Sequence, residues 1–190
     1  MIPKIVHQIW LSDEIPPQVQ EWINTWDNIP GFEHKLWRED VYDLFGGKEL
    51  FLSYYGLKDA HPALVSDLLR VRLIEKFGGF YVDCDCAYLD GLDGLCSMQF
   101  VTNIVGFQAS SPVTYNEFFG AEPNHRFTYK LLDKFERNRQ TAKSVLQKYG
   151  YTVFSETVIF EIDTDMAFIN ATKAQTIFKH FMMHSWLKEN

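Results

Sequence analysis

The stretch GGFYVDCDC at residues 78–86 places two carboxylates, Asp83 and Asp85, on either side of one cysteine, directly after an aromatic and β-branched run. Paired carboxylates suit three chemistries: a clamp for a hard divalent cation, an acid/base pair sharing a proton, or a solvated turn. On an extended strand alternate side chains share a face, so Asp83 and Asp85 are expected on one side and Cys84 on the other. Like charges so placed repel by roughly 4 kcal/mol at an effective dielectric of about 20. A divalent cation on oxygen ligands is the simplest relief. A calcium loop fails on spacing: counted from Asp83, Tyr88 stands where glycine is needed and Gly94 where glutamate is needed.

A second constellation precedes the first. Ser66, Asp67 and Arg70 interrupt the apolar pattern of PALVSDLLRVRLIEKFGG (62–79). On a helix Asp67 and Arg70 share a face and reach each other. An ordinary surface ion pair would explain them. However, Arg72, Glu75 and Lys76 already supply a polar face, and the helix runs straight into the aspartate strand.

The elements that position these residues follow from periodicity. KIVHQIW (4–10) reads as a strand, the segment after Pro16-Pro17 as a helix with Val19, Trp22, Ile23 and Trp26 at helical spacing, and GFEHKLW (31–37) as a second strand. REDVYDLF (38–45) reads as a short helix stopped by Gly46-Gly47. Residues 62–79 form the strongest helix, with Pro62 at its start and Gly78-Gly79 past its end. Strands are expected at 80–82, 100–108, 155–162 and 167–170, one or two helices over 125–150, and a strand-like run within 177–186. Alternating strands and helices imply an α/β layered domain with a largely parallel sheet, whose ligands collect at the carboxyl ends of the strands.

At 190 residues with 46% hydrophobic and 16% aromatic composition, the chain can bury the core of one domain. Its net charge of −7 and lack of a basic stripe argue against nucleic acid as a partner. Three cysteines, Cys84, Cys86 and Cys96, make no disulfide framework, and no second pair completes a zinc site, so they read as small buried residues. There is no apolar run of about 18 residues to cross a membrane. MIPKIVHQIW lacks the pattern of a signal peptide, so the cytoplasm is the expected location, compatible with peripheral membrane contact.

IPKIVHQIW, FEHKLW, SDLLRVRLIEKFGGFYVDCDC and HSW, in that order, resemble glycosyltransferase family 32. These are Asp-x-Asp sugar transferases that include fungal initiating mannosyltransferases and bacterial capsule enzymes, with glucosylating toxin domains as distant relatives. A bare Asp-x-Asp is weak. Ser-Asp-x-x-Arg followed by Gly-Gly-Phe-Tyr-x-Asp-x-Asp is specific, and the likeness covers most of the chain. It is tightest over 2–10 and 62–86.

The resemblance implies a single GT-A domain over 1–190, Rossmann-like, with a mixed, mostly parallel sheet flanked by helices. It implies Mn²⁺ or Mg²⁺, a UDP- or GDP-linked sugar donor, a glycan or glycolipid acceptor and retention of anomeric configuration. Carried over by position, Asp85 is the metal ligand, and Asp83 touches the sugar or ribose and reaches the metal through water. Ser66, Asp67 and Arg70 lie on the donor-sugar side, with Asp67 and Arg70 binding its hydroxyls. Trp10 stacks on the base, Asn116 faces the donor, and in HSW His184 contacts metal or phosphate while Trp186 closes over the diphosphate. YTVFSETVIF (151–160) departs from the family by lacking its Thr-Gly-Pro stretch, on the acceptor side. Two alternatives remain at this point. One is a non-catalytic nucleotide-sugar binder of the same fold. The other is a haloacid-dehalogenase-like phosphatase, which also opens on Asp-x-Asp but for which Cys86 is atypical and the later Gly-Asp-x-x-x-Asp cluster is missing.

Overall fold

The computed structural model describes residues 1–108, 111–129, 132, 166–170 and 177–181, with the side chains of 103–116 and 166–170 outside that description. The expected strand at 155–162, most of the helical region 125–150, and residues 182–190 lie outside the described residues. Eight strands and three α-helices follow in chain order. They are β1 (Ile5–Ile9), α1 (Pro17–Asn24), β2 (Glu33–Trp37), α2 (Lys48–Tyr54), α3 (Pro62–Phe77), β3 (Gly79–Val82), β4 (Cys86–Tyr88), β5 (Phe100–Gln108), β6 (Ser111–Ala121), β7 (Met166–Asn170) and β8 (Phe178–His180).

The main sheet has six strands in the order β2-β1-β3-β6-β5-β7. The pairs β1–β2, β1–β3 and β5–β7 are parallel, while β3–β6 and β5–β6 are antiparallel. The sheet is therefore mixed, as an α/β domain of this type requires, with its parallel half supplied by the first three strands. A separate two-stranded antiparallel ribbon joins β4 to β8. The segment 38–45 coils as a tight 3₁₀ turn over Glu39–Phe45, ended by Gly46 in the left-handed region. Helix α2 and strand β6 were not anticipated from the pattern.

Helix α3 is the structural centre. Val65, Leu68, Leu69, Val71, Leu73 and Ile74 are all buried, on more than one face, because the helix packs on the sheet and is itself covered by the 3₁₀ turn and α2. Pro62 supplies a preset first turn, and the His61 ring accepts the Ala63 N–H. The helix ends on Gly78, and the chain enters β3 without a loop. Gly79 permits this entry: its φ is +94°, and a Cβ there would lie 2.5 Å from the Ile5 carbonyl oxygen. All four β3 residues are buried, as expected for a strand enclosed on both faces.

His7 pins the same corner. Its Nδ1 accepts the Trp37 indole N–H at 3.0 Å, which leaves the proton on Nε2 to donate to the Gly78 carbonyl at 3.0 Å. Burial between Trp37 and Phe77 lowers its pKa from 6.5 to about 4. Between those values the unfolded chain binds more protons than the folded one, so stability is complete above pH 6.5 and is lost as pH falls toward 4. The expected loss is on the order of 3 kcal/mol. Denaturant melts from pH 7 to pH 4 check it: His7→Gln should show a shallower slope than the parent across that window, and equal slopes would refute the assignment.

Candidate active site

β3 stops at Val82, and the chain turns over Asp83–Cys86, the Cys86 N–H donating to the Asp83 carbonyl at 3.1 Å. This corrects the strand-alternation reading. Asp83 and Asp85 are separated by a turn, so strand pleating does not dictate a common face for them, and each carboxylate has its own partners.

Asp83 is held on four sides. Its Oδ1 accepts the Tyr81 hydroxyl at 2.7 Å and faces Arg70 Nη1 at 3.2 Å. The Gln8 side-chain amide donates to its carbonyl at 3.2 Å, and its own N–H donates to the Glu117 carbonyl at 2.8 Å. Gln8 is oriented in turn by His34, whose other ring nitrogen meets Asp27. Gln8 of β1 and Glu117 of β6 thus fix the turn.

Arg70 is the strut between helix and turn. It is 5% exposed. Its Nη2 lies 2.9 Å from Asp67 Oδ1, its Nε reaches the Ser66 carbonyl at 3.4 Å, and its guanidinium carbon sits 4.4 Å from the Tyr81 ring centre. Burial alone would lower its pKa. Asp83, with Tyr81, Asp67 and Glu117, more than offsets that and holds it above its ordinary value. Burial, opposed by Arg70 and reinforced by Asp83, pushes the Tyr81 hydroxyl well above its ordinary range, so it stays a neutral donor.

Asp85 faces the other way, with Oδ1 3.3 Å from His180 Nε2. The β4–β8 ribbon brings that histidine in: Cys86 registers against His180, and the Phe181 N–H donates to the Asp85 carbonyl at 2.9 Å. α1 and the residues after it support the ribbon. The buried Trp26 indole donates to the Cys86 carbonyl at 2.8 Å, Thr25 Oγ1 accepts the Tyr88 N–H, and Trp22 stacks on Phe181 at 4.1 Å. Burial would lower the His180 pKa, but the hydrogen bond to Asp85 raises it on balance.

Trp10 lies beside the turn, half-buried against Val19, Ile23 and Cys84, its indole N–H fixed on the Glu14 carbonyl at 2.8 Å. Cys84 is buried, its thiol directed at the Ile9 carbonyl. Burial pushes the Cys84 and Cys86 thiols well above the ordinary thiol range.

The structure therefore brings together Trp10, Ser66, Asp67, Arg70, Asp83 and Asp85. Asn116 is placed only by its backbone in β6, one position before Glu117; its side chain lies outside the described residues, as do His184 and Trp186 altogether. Sequence reasoning missed Gln8, Tyr81, Glu117 and His180. Tyr81 sits two residues before Asp83 and was legible as a strand neighbour; the other three depend on pairing between distant strands.

Asp67, Asp83 and Glu117 surround Arg70, Asp85 joins Asp83 and Glu117 in acting on His180, and Glu117 is 4% exposed. Such a cluster favours a cation. Asp85, at the mouth of the turn, has the oxygen donor chemistry to ligate one, while Asp83 Oδ1 is already engaged by Tyr81 and Arg70.

Residues 16–101, from the start of α1 into β5 and including Asp67, Arg70, Asp83 and Asp85, match the family described as the glycosyltransferase sugar-binding region containing the DXD motif. This region is similar to the DXD glycosyltransferases. The motif is Asp83-Cys84-Asp85. The chain is 27% identical over 150 residues to inositol phosphoceramide mannosyltransferase 2 of Schizosaccharomyces pombe, a match covering 74% of this chain and 40% of that protein. It is 26% identical over 147 residues to mannosyl phosphorylinositol ceramide synthase CSH1 of Saccharomyces cerevisiae, covering 74% and 37%. The chain thus spans about two fifths of the length of these curated relatives. Among solved structures, the PaToxG glycosyltransferase aligns with a TM-score of 0.56 at 21% identity, over 83% of this chain and 69% of that one, a likeness of fold. No helix among the described residues is long and apolar enough to cross a membrane.

Proposed function

We propose that the chain is a metal-dependent retaining glycosyltransferase that moves a hexose from a UDP- or GDP-linked donor to a hydroxyl of a glycan or glycolipid. The observation that carries this reading is the DXD turn at the carboxyl end of β3, braced by Arg70 and Asp67 from α3. The named relatives are mannosyltransferases of inositol phosphoceramide, so a mannosyl donor and a glycolipid acceptor are the first arms to test.

In this reading Asp85 would hold Mn²⁺ or Mg²⁺, whose positive charge would offset the negative charge growing on a departing nucleoside diphosphate. Asp83, held rigid by Tyr81 and Arg70, accepts a hydroxyl of the ribose or sugar. Asp67, 13% exposed and pointed by Arg70, accepts from a sugar hydroxyl. Arg70, Ser66 and Asn116 line the donor-sugar side, and Trp186 with His184 closes over the diphosphate. The buried guanidinium acts mainly by aiming the two carboxylates. Fixed acceptors of this kind hold the sugar in one orientation without reorganising during transfer. The acceptor hydroxyl is the nucleophile in this reading, attacking beside the departing phosphate, a course that fits retention of configuration.

Trp10, its ring fixed by the Glu14 carbonyl, stacks on the base. Trp10→Ala is expected to weaken UDP or GDP binding about tenfold, within the range of roughly 1–3 kcal/mol for an aromatic–base stack. Calorimetric titration of the free nucleotide measures it, and unchanged affinity would remove the stacking role.

The deciding experiment offers UDP-glucose, UDP-galactose, UDP-N-acetylglucosamine and GDP-mannose, each with and without Mn²⁺. It reads nucleotide release and thermal shift. One donor giving Mn²⁺-dependent release supports the enzyme. A thermal shift with no release under any condition, glycolipid acceptor included, favours a non-catalytic binder.

A further inference from the structure

Cys86 stands out because this fully buried thiol lies beside Asp85 and His180. Asp85, Cys86 and His180 each offer a ligand atom, and these atoms lie within 4.8 Å of one another, the one such group among the described residues. A four-coordinate zinc ion with bonds of about 2.0–2.3 Å sets its ligand atoms about 3.3–3.8 Å apart. The Asp85–His180 separation of 3.3 Å already has that value. The framework is built rather than accidental. Cys86 and His180 are cross-strand partners in the β4–β8 ribbon, the Trp26 indole fixes the Cys86 carbonyl, and the Phe181 N–H fixes that of Asp85. Asp83 and Glu117 add negative potential at both Cys86 and His180.

Carboxylate, thiolate and imidazole together are not the all-oxygen set that suits Mg²⁺ or Mn²⁺. They suit Zn²⁺ or Co²⁺. We propose that Asp85, Cys86 and His180 form a three-ligand site for a thiophilic divalent cation, which draws Asp85 away from a hard cation and so blocks Mn²⁺-supported donor turnover. The blocking half rests on the function proposed above; the site itself does not. Binding exchanges the Cys86 S–H bond and the His180 Nε2–H bond for bonds to the metal and releases those protons to solvent, with no change of oxidation state. Three protein ligands leave one coordination position open.

The test is a Co²⁺ titration of the whole chain followed by absorption spectroscopy. The expected result is one equivalent bound with a near-ultraviolet sulfur-to-cobalt charge-transfer band, bleached by Zn²⁺ and insensitive to excess Mg²⁺. Cys86→Ser should lose the band and Cys96→Ser should keep it. Should Cys86→Ser fail to fold, as judged by its melt, His180→Ala decides: at least about a tenfold loss of Co²⁺ affinity is expected. A spectrum without the band, a band that survives Cys86→Ser, or undiminished affinity in His180→Ala overturns the site. In a donor assay Zn²⁺ should inhibit Mn²⁺-supported release, and the half-inhibiting concentration should rise at least about tenfold in His180→Ala relative to that variant's own zinc-free rate. A cobalt site with no donor turnover would leave the ligand set standing and reject the transferase reading, while turnover without the band would do the reverse.

Discussion

Arg70→Ala is expected to lose both stability and turnover. The guanidinium is buried, and removing it leaves Asp67 and Asp83 facing Glu117 without the cation that they share. Truncating one partner of a buried charge pair costs about 3–5 kcal/mol, most of it the penalty on the charges left behind. For a chain of this length that lowers the melting temperature by roughly 10 °C. Tyr81 also loses the cation over its ring, and Asp83 the group that aims it. Donor turnover is expected to fall more than about a hundredfold even well below the melting point, since both carboxylates can then rotate away. Arg70→Lys should recover part of the stability but little of the activity, because a point charge cannot span two carboxylates as a fork does. A thermal melt and an initial-rate assay on both variants check this. A parental melting point for Arg70→Ala would refute the strut.

Asp85→Asn should separate the two properties. Asp85 sits in a turn with its side chain 19% exposed, and its interaction with His180 is the ion pair described there. The amide keeps an acceptor for His180, so stability should fall less than in Arg70→Ala. The amide, however, has lost the charge that makes it a cation ligand. Mn²⁺-dependent release is expected to drop more than about a hundredfold, and the thermal shift produced by Mn²⁺ with nucleotide should vanish. Nucleotide binding without metal should persist through Trp10. Parental Mn²⁺-dependent release in Asp85→Asn would remove Asp85 as the ligand. Together the variants distinguish a residue that holds the site in shape from one that supplies its chemistry.

The core of this site was readable before any coordinates because it lies on one local unit. Pro62, the apolar positions of α3 and the Gly78-Gly79 stop define the helix, and the helix period alone places Asp67 within reach of Arg70. The strand after it is short, buried and ends at the aspartates. What escaped was non-local. β6 carries Pro112 and reads as a loop, and it becomes a strand by pairing on both sides with β3 and β5. α2 is seven residues with Leu50 exposed, too short and too weakly patterned to announce itself. His180 reaches Asp85 only through the β4–β8 register, so attention fell on His184 in the more familiar HSW. The turn at Asp83–Cys86 was misread as strand because the residue types on both sides favour extension, while the backbone bends to place Asp85 against β8.

The loopless corner between α3 and β3 works as a ruler. One residue inserted into the helix after Arg70 would swing Asp67 and Arg70 about 100° around its axis. One residue inserted into β3 would turn its faces inside out. Neither change can be absorbed at Gly78-Gly79, where a Cβ already has no room. The spacing from Asp67 to Asp85 is thus a metric constraint as well as a chemical one. Length changes are left to places such as the exposed residues 89–91, leaving this corner as the part of the chain that evolution can edit but not lengthen.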